Sequence, residues 1–157
     1  MKNLTQEVKK ILIKNNWLVL STVDKENKSH SSVVVYQSDG KVIYCQTGAD
    51  TLKIKNIEGN NHISVAIPFR KNFLHKLIPA PPAEIHFSTS AEIRPEEDEE
   101  ARIIYQKYLK YEEMTPSGVN KVWIRIQVPD VVGTYGVGVR LLKMKKPEEA
   151  QKVVMLN

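Results

Sequence analysis

Apolar and polar residues alternate with a period of two along much of the chain, which is the pattern of strands that bury one face. The alternation is cleanest in V-W-I-R-I-Q-V at 122–128, and it continues through A-E-I-H-F-S-T-S-A-E-I at 83–93. Shorter runs rich in apolar and β-branched residues lie at 17–23, 29–36, 42–45 and 62–67. Because buried parallel strands are apolar throughout, this pattern predicts an antiparallel sheet.

Turn residues connect the first three of these runs. The polar stretch D-K-E-N-K joins 17–23 to 29–36, and Ser38-Asp39-Gly40 precedes the run that begins at Val42. Asp-Gly between two β-branched runs is a strong signal for a β-hairpin. The first half of the chain is therefore predicted to contain a three-stranded antiparallel meander.

Two other segments repeat apolar residues at helical spacing. In the N-terminal segment, 1–16, one face carries Leu4, Val8, Ile11 and Leu12. After Pro95, a run of acidic residues opens a second predicted helix, whose repeated apolar and aromatic positions are Ala101, Ile104, Tyr105 and Tyr108. Acidic residues at its start and lysines near its end complement the helix dipole. Both segments are predicted to be amphipathic helices that pack on the sheet.

Length and composition indicate one domain over 1–157. The chain has 157 residues, of which 41% are hydrophobic, and this is enough for a single core. No stretch reaches the ~18 apolar residues that a membrane span requires. The N-terminus also lacks the apolar centre of a signal peptide. We therefore expect a soluble, cytoplasmic protein without a membrane partner.

A formal net charge of +5 raises the question of a nucleic-acid partner. The 23 lysines and arginines are scattered, however, and no zinc-finger or RNA-binding signature accompanies them. An anionic cofactor or substrate suits such a chain equally well, so no nucleic-acid partner is expected. The four histidines show no metal-ligand spacing, which predicts no metal site. The single cysteine, Cys45, is predicted to be a small buried residue.

The turn Gly48-Ala49-Asp50 ends the run from Val42 and leads into T-L-K-I-K-N, where a short helix is predicted to begin near Thr51. The N-terminus of a helix presents N–H groups and the positive end of its dipole, and Lys53 adds a full charge. This combination indicates a pocket for a phosphate-bearing ligand. The alternative is that Asp50 or Thr51 only caps the helix, while Lys53 and Lys55 are solvated.

The order of these motifs resembles that of the pyridoxamine 5′-phosphate oxidase-like superfamily of flavin-binding split β-barrels. The resemblance covers about 17–68 and rests on Leu20 to Asp24, Ser29 to Tyr36, Gln46 with Thr47, and Thr51 with Lys53. It implies a mainly β (α+β) fold, an antiparallel split barrel of six to seven strands with two or three flanking helices. It also implies a homodimer that binds FMN at the subunit interface, with 17–68 as the cofactor-binding half.

The resemblance implies positions for the cofactor-binding residues. Thr51 and Lys53 would hold the phosphate, with Leu52 between them as a further cofactor-binding residue, and Gln46 and Thr47 would lie near the ribityl chain or the ring. Further expected contacts come from the second strand and its end, and from the neighbouring subunit: His30, Ser32, Val33, Gln37 and Tyr135. Because FMN performs the redox chemistry, no catalytic side chain is expected.

Three departures from the family bear on the activity that is expected. Ser32 and Gln37 stand where the true oxidases carry an arginine and a lysine, and Tyr135 replaces the usual tryptophan. The Arg-x-His-x-Arg substrate motif of the oxidases is missing as well. The resemblance therefore implies a flavin-dependent oxidoreductase with a small-molecule substrate that is not vitamin B6.

The sequence leaves several alternatives open. The deazaflavin F420 could replace FMN, or the protein could be a non-catalytic binder of flavin or haem. The basic segment 69–82 is either a lid over an anionic substrate or a dimer-contact loop. Residues 144–157 are expected to form a polar tail.

Overall fold

The structure is a computed structural model, and it describes residues 3–71, 80–109 and 118–157. Its helices are α1 (Leu4–Lys14), α2 (Leu52–Gly59), α3 (Glu99–Leu109) and α4 (Pro147–Ala150), with a 3₁₀ helix at Leu141–Lys145. Its strands are β1 (Trp17–Val23), β2 (Ser29–Val35), β3 (Gln37–Ser38), β4 (Val42–Gly48), β5 (His62–Phe69), β6 (Ala83–Pro95), β7 (Lys121–Gln127), β8 (Val131–Tyr135) and β9 (Gln151–Met155).

All strands pair in antiparallel fashion in one curled sheet. The order is β2-β1-β5-β6-β7-β4-β3, and β8 lies beside β6 with β9 next to it. The long strand β6 serves both halves, because its first part pairs with β5 and its last part with β7. The sheet curls round the core with the two edge strands β2 and β3 consecutive in the chain. This arrangement confirms the predicted split barrel with flanking helices.

Nine strands and four α-helices lie in the part of the chain that the structure describes, more than the sequence predicted. The predicted three-stranded meander is wrong, because β4 forms its hairpin with the short strand β3, and β2 pairs with β1 at the other edge of the sheet. The segment 144–157, expected to be a polar tail, instead contains α4 and β9. It pairs with β8 because Val154 alternates with exposed neighbours and is buried against the core, as is Leu156. Lysines and glutamates surround these residues in the sequence, so the apolar pattern is too short to predict a strand there.

Two buried clusters share strands β4 and β7. Ile43, Cys45, Ile124 and Ile126 point into the main core, which α1 closes with Val8 and Leu12. The opposite face of the same strands carries a second cluster under α3, made of Val42, Tyr44, Ala101, Tyr105 and Trp123. The rings of Tyr105 and Trp123 pack edge to face with centroids 5.0 Å apart. Both faces of β4 and β7 are therefore covered by packed side chains.

The predicted helix faces are confirmed by these contacts. The α1 helix begins after Asn3, whose Oδ1 accepts a hydrogen bond of 3.1 Å from the Thr5 N–H. The α3 helix begins at Glu99, and Asp98 Oδ1 accepts a 2.9 Å bond from the Ala101 N–H in its first turn. Such caps satisfy N–H groups that have no partner inside the helix.

Within the described residues, no helix has the length and apolar character that crossing a membrane requires. The same residues hold no cluster of three or more potential metal ligands. Cys45 is buried as predicted, and burial raises the pKa of its thiol to about 12. A thiol with so high a pKa is protonated at neutral pH and inert as a nucleophile.

Candidate functional site

The predicted anion pocket lies where β4 passes into α2. After β4 ends at Gly48, Thr51 takes the N-cap position in extended conformation, and its N–H donates to the Gly48 carbonyl at 3.3 Å. The Thr51 carbonyl accepts bonds from the Ile54 and Lys55 N–H groups at 3.1 and 3.2 Å. The N–H groups of Leu52 and Lys53 lie in the first turn of α2, where no carbonyl of the helix can accept their hydrogen bonds. We call Thr51, Leu52 and Lys53 the α2 site.

The Thr51 hydroxyl is the unusual feature of this site. An N-cap threonine normally accepts a bond from the second or third N–H of its helix, but this one makes no such bond. Its Oγ1 is buried and has no hydrogen-bond partner among the described residues. A buried polar atom without a partner costs about 1–3 kcal/mol. A ligand oxygen would remove that cost, so the site fits an oxygen-rich group.

Lys53 supplies the positive charge of the α2 site. Its side chain is half-buried, and its ammonium is close enough to Cys45 to favour the thiolate there, against the larger effect of burial. The neighbouring Leu52 is 54% exposed, so the start of the helix faces outward. A partly desolvated cation beside two helix-terminal N–H groups is an arrangement that favours anions.

The beginning of β7 contacts the turn that leads into the α2 site, and the sequence did not predict this contact. The Ala49 N–H donates to the Asn120 carbonyl at 2.9 Å, and Lys121 is the ladder partner of Gly48. The Val119 side chain lies next to Gly48. The alternating run at 122–128 was recognised, but its pairing with β4 spans more than 70 residues and has no local signal. The side chain of Lys121 shares its face of β7 with Trp123, so it belongs to the side of the sheet that α3 covers.

Gln46 and Thr47 end up on opposite faces of β4. Thr47 shares its face with Cys45, which points into the main core. Gln46 shares its face with Tyr44 and lies opposite Trp123 in the ladder, so it belongs to the side that α3 covers. Only Thr47 is therefore directed to the same side of the sheet as the core. Gln46 and Thr47, both expected to contact the cofactor, cannot point into one cleft of a single chain.

Two of the expected residues on β2 face the barrel interior. His30 and Ser32 are the ladder partners of Thr22 and Leu20, both buried. Cα atoms of β2 and β4 come within 8 Å without pairing, so this face borders the split of the barrel. His30 is held by a 2.9 Å contact between its Nε2 and Asp24 Oδ2. The third residue, Val33, points the other way and is 67% exposed.

Gln37 and Tyr135 lie away from the α2 site within one chain. Gln37 is the ladder partner of Tyr44, and its amide donates to the Tyr36 carbonyl at 2.6 Å. Tyr135 is only 8% exposed, and its hydroxyl donates to the Met144 carbonyl. Its ring packs with Ala83 and its neighbours in a third cluster. Contact of Tyr135 with a flavin held by a second subunit stays a prediction, and it would involve only the small exposed part of the ring.

The outer face of β1, β2, β5 and β6 is largely exposed. Ser31, Ser21, Ser64 and Ser88 form a row across four strands. The hydroxyls of Ser21 and Ser31 lie 2.8 Å apart, and those of Ser64 and Ser88 lie 2.9 Å apart. Beside this row lie exposed apolar side chains, Trp17, Val33 and Val35. We call this surface the serine face.

The predicted lid or dimer loop at 69–82 lies largely outside the described residues, since 72–79 are not described. At the N-terminal end of this segment, Arg70 is exposed. The Lys71 ammonium donates hydrogen bonds to the carbonyls of Gly136 and Val139. Lys71 thus ties the end of β5 to the turn that follows β8.

Solved structures show where this fold recurs. General stress protein 26 from Bacillus anthracis is 22% identical, with a TM-score of 0.63 over 88% of this chain and 96% of that one. A heme binding protein from Mycobacterium smegmatis is 19% identical, with a TM-score of 0.69 over 99% of this chain and 59% of that one. An F420 reductase is 17% identical, with a TM-score of 0.55 over 76% and 90%. At these identities the likeness is one of fold.

The family assignment rests on sequence. None of the curated protein sequences compared with the chain matches it. Residues 4–133, however, match the family described as pyridoxamine 5′-phosphate oxidase. This match covers most of the 157 residues, including β1 to β7 and the α2 site. The chain belongs to the pyridoxamine 5′-phosphate oxidase family.

Proposed function

We propose that this protein binds FMN through the α2 site and acts as a flavin-dependent oxidoreductase on a substrate other than vitamin B6. The observation that carries the proposal is the buried Thr51 hydroxyl, which lies beside Lys53 at the start of α2 and has no hydrogen-bond partner in the described part of the chain. Membership of the family supports it as well.

The α2 site matches the phosphate of FMN in both charge and hydrogen bonding. Phosphate oxygens would accept bonds from the Leu52 and Lys53 N–H groups and from the Thr51 hydroxyl, and the Lys53 ammonium would offset the negative charge. Thr47, on the inward face of β4, and Ser32, on the inward face of β2, flank the split where the rest of the cofactor would lie. When bound, FMN supplies the redox chemistry, and the protein supplies orientation and electrostatics.

Two residues argue for a modest phosphate affinity. Ser32 and Gln37 occupy positions where the resemblance to the true oxidases implies an arginine and a lysine. The same resemblance implies that the Arg-x-His-x-Arg substrate motif should be present, and its absence supports a different substrate.

We further propose that two copies associate through the serine face. The observation that supports this is the exposure of Val33, Val35 and Trp17 beside the row of serines, at 67%, 48% and 40%. Contiguous apolar surface of this kind is rarely left in contact with water. A second copy there would also border the split between β2 and β4, as a cofactor site shared between subunits requires.

The ligand is tested by recording the absorption spectrum of the purified protein and titrating it with FMN, F420 and haemin. We expect saturable FMN binding that Lys53→Gln weakens by about tenfold, the scale of one lost charge-assisted contact. The control is Lys55→Gln, since Lys55 is an exposed lysine two residues further along α2. Binding of haemin or F420 but not FMN would replace the proposed cofactor, and binding of none would refute the proposal.

The dimer is tested by sedimentation equilibrium. We expect wild type to be dimeric and Val33→Lys to be monomeric, because a lysine there would be desolvated in the interface. The matched control is Ile103→Lys, because Ile103 is 74% exposed on α3, outside the serine face. A monomeric wild type, or a dimer that Val33→Lys leaves intact, would contradict the use of this face.

A further inference from the structure

A concave surface outside the α2 site lies on α1. It is near the C-terminal end of β5, whereas α2 ends close to the start of β5. One wall is the exposed side of α1, and the other is the end of β5 from Phe69 to Lys71. The two ends of β5 are roughly 23 Å apart, because the strand has eight residues at about 3.3 Å per residue. We call this surface the α1 groove. It has a volume of about 440 Å³, which is the size of a small-molecule site.

The α1 groove contains a buried donor without a partner. Asn15 caps the C-terminus of α1, and its backbone N–H donates to the Ile11 carbonyl at 3.0 Å. Its side-chain Nδ2, in contrast, is buried and has no hydrogen-bond partner among the described residues. A side-chain amide has two N–H donors, so this atom calls for an acceptor oxygen. Leaving it unsatisfied is costly, and a bound ligand would remove that cost.

The charges around the α1 groove are mainly positive. Lys10, Lys14 and Arg70 are exposed at its rim. The carboxylate of Glu7 is the acidic group among its lining residues, and it lies near Gly138 at the margin. Lys71 also lines the groove, but its ammonium donates to the carbonyls of Gly136 and Val139. An anion is therefore favoured over a cation.

The floor of the α1 groove is apolar. Ile11 and Phe69 are half-buried there, and both pack against the main core. Apolar surface between basic rim residues suits a ligand that combines an apolar body with a negatively charged head group. Neither residue belongs to the α2 site or the serine face.

We propose that the α1 groove binds a small organic anion, a carboxylate or phosphate carried on a short apolar body. Its head group accepts a hydrogen bond from Asn15 and faces Lys14 and Arg70. Its apolar part lies on Ile11 and Phe69. This site is separate from the proposed flavin site, so the protein can bind two ligands at once.

The test is an NMR titration of the full chain with hexanoate and with hexyl phosphate. The reporter is the side-chain amide resonance of Asn15, which is assigned by its absence from the spectrum of Asn15→Asp. We expect a saturable shift of this resonance with at least one of the two anions, and the two titrations show which head group is preferred. Hexylammonium, which has the same apolar body and the opposite charge, should leave the resonance in place.

Charge-neutral variants test the recognition without disturbing the core. Arg70→Gln and Lys14→Gln should each weaken binding by about tenfold, as expected for a lost charge-assisted contact. Lys25→Gln, which removes an exposed lysine from a distant turn, should not change the affinity. An Asn15 resonance that neither anion shifts would overturn the proposal. So would an equal shift with hexylammonium, or equal affinities for the Arg70 and Lys25 variants.

Discussion

The side-chain amide of Asn56 donates a hydrogen bond of 3.0 Å to the hydroxyl of Thr22, and both side chains are buried. Asn56 lies in the second turn of α2, and Thr22 lies near the end of β1. This bond fixes α2 across the end of the barrel, and the contacts of Ile54 and Ile57 with the main core support it. The N-terminus of α2 therefore has a defined position relative to β2 and the split.

Replacement of Asn56 tests this attachment. Asn56→Ala should lower the free energy of unfolding by about 1–3 kcal/mol, because the Thr22 hydroxyl is left buried without its partner. The Thr22→Val, Asn56→Ala pair should be less destabilised than the sum of the single variants, since both polar groups are then gone. Urea denaturation of the four proteins measures both quantities. Strict additivity would show that the bond contributes nothing.

Two glycines with positive φ should respond differently to alanine. At Gly136, with φ of +74°, an added Cβ would overlap Met144 Cε and lie 3.0 Å from its Sδ, and Met144 is fully buried. We expect Gly136→Ala to cost about 2–4 kcal/mol, through backbone strain and overpacking together. Gly118, with φ of +97°, meets no described atom within 4 Å, so Gly118→Ala should cost only about 1–2 kcal/mol of strain. Equal losses in thermal unfolding would contradict the packing at Gly136.

The turn between β1 and β2 should make stability depend on acid pH. The hydrogen bond from His30, followed by those from the Lys28 and Glu26 N–H groups, lowers the pKa of Asp24 to about 2. The ordinary value is 3.8, so the folded form holds the proton less tightly than the unfolded chain. This contribution to stability is complete above pH ~4 and is lost as the pH falls toward ~2.

Asp24→Asn removes that titration. Its stability deficit relative to wild type should shrink as the pH is lowered from about 5 to about 2.5, because wild type alone loses the contribution of Asp24. Urea midpoints across this range measure the effect, with Asp50→Asn, at an exposed turn residue, as the control. A deficit that is constant with pH would show that Asp24 does not have the lowered pKa.

Most of the fold was predicted from local patterns of apolar and turn residues. The alternation at 122–128 depends on neighbouring residues only, and β7 lies there. The Asp-Gly turn at Asp39 and Gly40 does form a hairpin, but it joins β4 to the short β3 and not to β2 as predicted. The helical spacing of Val8 and Leu12 likewise predicted the buried face of α1. Such signals survive folding because a sheet or a helix must bury one side of each element.

What the sequence missed depends on contacts between distant residues. The partnership of Gly48 with Lys121 comes from the β4–β7 register, which no local pattern specifies. For the same reason, the sequence did not show that Gln46 faces α3 while Thr47 faces the core. Val154 was missed because a single buried residue among lysines and glutamates gives too little periodicity to indicate a strand.

The most direct test of the α2 site compares FMN with riboflavin, which lacks the phosphate. The ratio of their dissociation constants isolates the phosphate contribution, and it should be measured for wild type, Thr51→Val, Lys53→Gln and the Lys55→Gln control. We predict that FMN binds wild type at least tenfold more tightly than riboflavin, the scale of one charge-assisted contact. The ratio should fall toward unity in the Thr51 and Lys53 variants and stay unchanged in the control. Equal ratios in all four proteins would place the phosphate elsewhere and contradict the proposed role of the α2 site.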